Sequence, residues 1–309
     1  MKLLLLFFAF FSLSNAAQEV SKSAEDAAKE AHLANINALL IFTSQDGLNT
    51  GLFHFTKVDV DMQIYNLPFL YHFESEKNFN YFIVGNVGYS NVFTKNEFVF
   101  APEVILNSDS HLQTYTGGIG LGVRYKLRDY LSISSGAEFI YSRSGVSTKH
   151  LDGGITAPIE DFFKSKFNDN VSYKLFAEFC YSPKLQHLNP YIKLGYNFFD
   201  TKSDMDLKTL STFSTQSSLS TFTLGATSEP FAKREYGYLV FEPYAHLNYL
   251  QGDVVNSIRF DTYSKVGGVL YMYHKNSPSW IERYFFEAST INADGLEGYN
   301  LGLGFSIEY

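Results

Sequence analysis

The chain has 309 residues, a formal net charge of -8 and 17% aromatic residues, with 30 Phe and 22 Tyr against a single Trp. An acidic balance of that size argues against nucleic acid or an anionic surface as partner. The one cysteine, Cys180, leaves no internal disulfide and no cysteine metal cluster, so stability has to come from backbone pairing and packing.

Met1-Lys2, the apolar run 3–11 and Ser14-Asn15-Ala16 have the charged start, greasy middle and small-residue end of a secretory signal peptide over 1–16, with cleavage expected after Ala16. That run is too short to span a bilayer, and the longest strictly apolar run after it is Ala38-Leu39-Leu40-Ile41-Phe42. No transmembrane helix follows from the sequence, so a membrane location would require a β-barrel. A mean hydropathy of -0.10 is compatible with one, because only alternate residues of a barrel strand face lipid.

Segment 17–47 predicts a helix. Ser23-Ala24-Glu25-Asp26 forms a capping box ahead of Ala27, Ala28, Ala31 and Ala34, and the apolar side strengthens at Leu39 and Leu40. Such a helix either plugs a barrel or is a solvated lead-in to it.

From residue 48 to 309 the chain alternates between apolar and small or polar residues, interrupted by turn formers. Twelve strands are expected, over 48–58, 62–73, 79–93, 111–127, 130–141, 171–181, 189–199, 216–227, 236–250, 254–273, 281–291 and 296–309. Links after even-numbered strands are short, such as Arg128-Asp129. Those after odd-numbered strands tend to be longer, notably 94–110, 142–170 and 200–215. Within 142–170, the run 159–167 could form a short amphipathic helix, as a constriction or as an ordered cap. An up-and-down antiparallel transmembrane barrel has this asymmetry, and an even strand count returns both ends of the chain to one side.

The two faces separate cleanly. Tyr173, Leu175, Ala177, Phe179 and Tyr181 alternate with Lys174, Phe176, Glu178 and Cys180, while Ile192, Leu194, Tyr196 and Phe198 oppose Lys193, Gly195 and Asn197. The greasy sets face lipid, which leaves a charged lumen set of Arg124, Lys126, Glu138, Lys174, Glu178, Lys193, Glu242, His246, Arg283, Glu287 and Glu308. Both signs occur on adjacent strands. They predict an interior ion-pair network more readily than an ion-selective constriction.

No catalytic site emerges. None of the eight histidines is followed two residues later by serine, the spacing that would put a nucleophile and its base on one strand face. His54-Phe55-Thr56 comes nearest, and His72, His111, His150 and His274 lie near strand ends or loops. No cluster has metal-ligand spacing, and no cofactor is expected.

The last stretch, Tyr299-Asn300-Leu301-Gly302-Leu303-Gly304-Phe305-Ser306-Ile307-Glu308-Tyr309, alternates large apolar and small or polar residues up to an aromatic terminus. Gly304, Ile307 and Tyr309 in this arrangement resemble the C-terminal insertion signal of Gram-negative outer-membrane β-barrels. That resemblance implies the outer membrane as location, its lipid and lipopolysaccharide as surroundings, and the barrel-assembly machinery as a partner through the terminal strand. With the helix of 17–47 and about twelve strands, the chain also resembles an autotransporter translocator domain, of the solitary group that lacks a passenger. The resemblance implies a pore, surface or envelope-structural role. A passive diffusion channel and a lipid-modifying enzyme remain as alternatives.

Overall fold

The computed structural model describes residues 40–41, 49–56, 60–73, 78–101, 104–151, 167–186, 188–204, 213–275 and 281–307. Its strands are β1 (Asn49–Phe55), β2 (Val60–His72), β3 (Phe79–Ala101), β4 (Val104–Arg128), β5 (Leu131–Leu151), β6 (Phe167–Tyr181) and β7 (Leu188–Asp204). They continue with β8 (Phe213–Ser228), β9 (Phe231–Arg234), β10 (Gly237–Gly252), β11 (Thr262–His274), β12 (Ile281–Ala293) and β13 (Leu296–Ile307); one helix, α1 (Asp253–Ile258), joins β10 to β11.

Every neighbouring pair is antiparallel, and the sheet closes on itself where β1 pairs with β13 and β10 with β11. The result is a closed barrel of twelve strands, with the four-residue β9 appended to β10 at a turn. Closure removes the free edges that an open sheet would leave. We call the end bearing the β3–β4 and β5–β6 connections the loop side and the other the turn side.

The period of two produces two surfaces. Leu121, Leu303, Ile119 and Leu175 point outward and are more than half exposed, while Glu138, Lys174, Asn300 and Ile64 on the same strands or their neighbours point inward and are buried. The outward apolar belt carries tyrosines at both edges. Tyr65, Tyr89 and Tyr115 lie in register on β2, β3 and β4 toward the loop side, with ring centroids 6.1 and 5.1 Å apart. Toward the turn side Phe79 lies in register with Tyr125, 4.5 Å apart, and Tyr130 meets Tyr181 edge-on at 5.8 Å.

Several expected boundaries are corrected. Residues 94–110 are not a loop: β3 runs to Ala101 and β4 starts at Val104, paired from Thr94 against Ser110 to Ala101 against Val104. Lys95, Asn96 and Glu97 are all polar, so the sequence alternation breaks there although the backbone ladder continues. Likewise β5 extends to Leu151, β6 begins at Phe167, β7 ends at Asp204 and β8 begins at Phe213. The strand expected from Val254 instead starts at Thr262. Gly252, at φ 85°, breaks the ladder, and Asp253–Ile258 turns into α1. The signal peptide, the helix expected over 17–47 apart from Leu40 and Ile41, and the helix considered over 159–167 apart from Phe167 lie outside the described residues, and Phe167 opens β6.

Candidate functional site

The lumen is built in three tiers. On the loop side it is apolar: Phe53 and Phe55 from β1, Met62 and Ile64 from β2, Leu250 from β10 and Ile291 from β12 form one buried cluster. The β10–β11 connection folds into this cluster instead of away from it. Val254 and Ile258 of α1 and the following Phe260 are 0%, 4% and 6% exposed. Phe260 stacks on Phe55 across the mouth at 6.3 Å and meets Tyr263 edge-on. The connection is anchored where Asp253 accepts the Gln216 backbone N–H (2.8 Å) and Ser217 Oγ accepts that of Val254 (3.2 Å). Leu40 and Ile41, helical in backbone and 3% and 1% exposed, belong to the same cluster.

Facing this greasy half, β4 to β7 present small hydroxyl and amide side chains, all buried. Thr114 and Ser144 share a 2.9 Å hydrogen bond, Ser172 and Thr201 one of 2.8 Å, and Asn170 accepts from Ser203. Their burial inside a barrel means that this part of the lumen is filled.

The middle tier holds two ion-pair nests. Glu138 accepts from Lys174 Nζ (3.1 Å) through one oxygen and from Asn86 Nδ2 (2.9 Å) through the other. Glu287 accepts from Lys265 Nζ (2.8 Å) and from the Tyr244 hydroxyl, and the Lys265 ammonium lies over the Tyr244 ring at 5.3 Å. His246 Nδ1 shares a 2.8 Å hydrogen bond with Thr223 Oγ1. The glycines of β4 make room for this. A Cβ on Gly118 would fall 2.6 Å from Glu138 Oε1, and one on Gly136 of β5, which faces Gly122, 2.3 Å from the Leu121 carbonyl oxygen.

At the turn side the wall is aromatic and charged. Glu242 accepts from Tyr191 (2.8 Å) and Thr227 (3.4 Å). Arg283 donates to the Tyr273 hydroxyl (2.8 Å) with its guanidinium 4.3 Å from the centre of the Tyr271 ring. Lys193 lies over the Tyr191 ring at 5.4 Å. Arg124 and Lys126 are inward positions of β4 near the rim, opposite Ser134 and Ser132; Glu178 and Cys180 stand on β6, with Cys180 opposite Lys193.

Of the expected lumen charges, Glu138, Lys174 and Glu287 are buried inside the barrel, and Glu308 lies outside the described residues. They are not sorted into acidic and basic walls. Glu138 and Lys174 are brought together directly, whereas Glu242 and Arg283 are each satisfied by tyrosines. Lys265 was missed. Its inward face could have been read from the outward Val266, but Tyr263 on the inward side blurs the alternation of that strand. Gly304 pairs with Phe285 and Ile307 with Ile281 in the β12–β13 ladder, and Tyr309 lies outside the described residues.

Of the histidines, His54 pairs with Asp61 at 2.8 Å on the outer loop-side rim, His72 lies against Phe82 and His111 against Phe93. Among the described residues no group of three or more His, Cys, Asp or Glu could hold a metal ion.

No protein-family model matches the sequence, and no curated protein matches it. Solved structures do share its fold. The translocator domain of the autotransporter NalP from Neisseria meningitidis superposes with a TM-score of 0.56 at 12% identity, covering 95% of this chain and 99% of that one. The transport unit of the autotransporter AIDA-I from Escherichia coli gives 0.57 at 9% identity, covering 90% and 98%. The β domain of the Bordetella autotransporter BrkA gives 0.55 at 8%, covering 84% and 100%. At such identities the likeness is one of fold.

Proposed function

Starting from a closed barrel that shares its fold with autotransporter translocator domains, we propose that this chain is an integral outer-membrane β-barrel whose lumen is closed by its own segments, with a role in the envelope and no enzymatic step. The outward belt of Leu, Ile and Phe between two tyrosine girdles is what a lipid-facing wall requires, and a water-exposed apolar surface of that extent would be costly. The signal-like start of the sequence and the terminal strand agree with export and insertion, and the longer connections then face the cell exterior.

One observation carries the reading of a closed lumen. Leu40 and Ile41, which precede β1, are buried in the loop-side apolar cluster together with Phe53 and Phe55 of β1 and with Val254, Ile258 and Phe260 of the β10–β11 connection. These two residues fill part of the loop-side lumen from within, alongside the inward-folded α1.

Conductance in a planar bilayer tests this, using the mature chain and a variant lacking residues 17–42. Silence that becomes steady current on deletion is expected. Steady current from the undeleted barrel would overturn the closed-lumen reading in favour of a diffusion channel.

A further inference from the structure

On the inner face of β4, β5 and β6 an aromatic layer separates the buried ion pair from the turn-side rim. Gly122, Gly136 and Phe176 stand in register across the three strands, and Phe82 of β3 faces Gly122. A Cβ on Gly122 would collide with the Phe82 ring and one on Gly136 with the Phe176 ring. The two rings therefore lie over the glycines, 6.0 Å apart, and make a floor. One inward position toward the loop side is the Glu138–Lys174 pair. One position toward the turn side Arg124 stands opposite Ser134, and one further Lys126 stands opposite Ser132.

The floor keeps these two cations apart from the carboxylate nearest to them along the strands. Glu138 lies on the far side of the rings, with Lys174 and Asn86 on its oxygens. Glu178, opposite Ser134, has Lys193 as its diagonal neighbour on β7, and their charges offset one another. Among the described residues no carboxylate pairs with the Arg124 guanidinium or the Lys126 ammonium. Both are within reach of a solute from the turn side, since Lys126 is exposed and Arg124 and Ser132 are half-buried. Two residues apart on one strand face, the cations are about 7 Å from each other at the backbone. A guanidinium fork, an ammonium and two hydroxyls thus offer donors to one space, and the rings exclude water from beneath it. A tetrahedral dianion matches both the two charges and the spread of donors, whereas a carboxylate brings one charge in one plane.

We propose that Arg124, Lys126, Ser132 and Ser134 form a binding site for a phosphate group entering from the turn side, as the free ion or as a soluble monoester. The Arg124 fork takes two oxygens, Lys126 a third, and the serine hydroxyls complete the shell. The site stands on the register of the closed barrel and goes beyond its role in the envelope.

Isothermal titration of the refolded mature chain in phosphorus-free micelles tests it, with inorganic phosphate, glycerol 3-phosphate and acetate as probes. Arg124→Gln and Lys126→Gln each remove one cation of the site. Lys184→Gln removes an exposed cation from the β6–β7 turn at the same end of the barrel. Unaltered heat-dependent gel mobility shows that each variant folds, and Lys126→Gln, at an exposed position, keeps the test decisive if Arg124→Gln does not refold. Saturable binding of one phosphate per barrel is expected in the native chain and in Lys184→Gln, at least tenfold weaker in Arg124→Gln and Lys126→Gln. Acetate should bind the native chain at least tenfold more weakly than phosphate. Tighter binding of glycerol 3-phosphate than of inorganic phosphate assigns the monoester as the ligand, and the reverse order assigns the free ion. Absent or unsaturable phosphate binding, an equal loss in Lys184→Gln, or equal affinity for acetate overturns the site.

Discussion

Lys265 offers the sharpest test of how the lumen is held. Its ammonium and the Glu287 carboxylate are 2% and 4% exposed and 2.8 Å apart, with the Tyr244 hydroxyl on the same oxygen. Lys265→Met keeps nearly the same length and an unbranched stem, so the repacking cost stays below about 1.5 kcal/mol. What it removes is the cation, which leaves Glu287 buried with hydrogen bonds alone. Breaking one side of such a pair costs about 3–5 kcal/mol, whereas replacing both sides by apolar groups is often close to neutral. The Lys265→Met barrel is therefore expected to lose about 3 kcal/mol, and Lys265→Met with Glu287→Leu to recover most of it. Urea titration of the refolded barrel in micelles, followed by the gel mobility of folded and unfolded forms, measures this. At slopes of roughly 2 kcal/mol per molar the single variant should shift its midpoint by roughly 1–2 M. A single variant within about 1 kcal/mol of the native chain, or a double variant no better than the single, would refute the pairing as a buried, mutually dependent unit.

Gly136→Val should prevent or strongly slow refolding, because a Cβ at 2.3 Å from the Leu121 carbonyl forces β4 and β5 apart; normal refolding yield would contradict that close approach. Phe260→Ala is expected to destabilise the barrel by about 3–5 kcal/mol, the usual cost of emptying a buried aromatic site. It should also raise the residual current of the variant lacking 17–42, because Phe260 reaches across the mouth to Phe55; an unchanged current would show that α1 does not narrow the pore. The seam between β1 and β13 is registered only over Thr50–His54 against Leu301–Glu297, while β12 and β13 pair from Ala293–Leu296 to Ile281–Ile307. A disulfide between Thr50→Cys and Leu301→Cys should raise the temperature at which the barrel loses its folded gel mobility, and no rise would mean that opening starts elsewhere.

Much of this molecule was legible along the chain. Alternation between outward Leu175 and inward Lys174, or outward Ile119 and inward Gly118, is a local property, since successive strand residues point to opposite faces. So the strand count, the greasy outer belt and its aromatic edges follow from the sequence, and the observed register agrees. Loop-side strand ends did not, because Lys95 to Ala101 keep their backbone pairing while the polar run Lys95-Asn96-Glu97 breaks the alternation.

Partnership across the lumen was decided by tertiary structure alone. That Glu138 meets Lys174 and Asn86 depends on the stagger of three different strands, and that Glu287 meets Lys265 depends on how β11 and β12 register next to β10. The inward fold of α1, which carries Phe260 to Phe55, depends on the barrel having closed so that β1 stands across from the β10–β11 connection. Side-chain direction is written in the residue's own neighbours, but contact across a barrel is set by closure and stagger, which no single segment encodes.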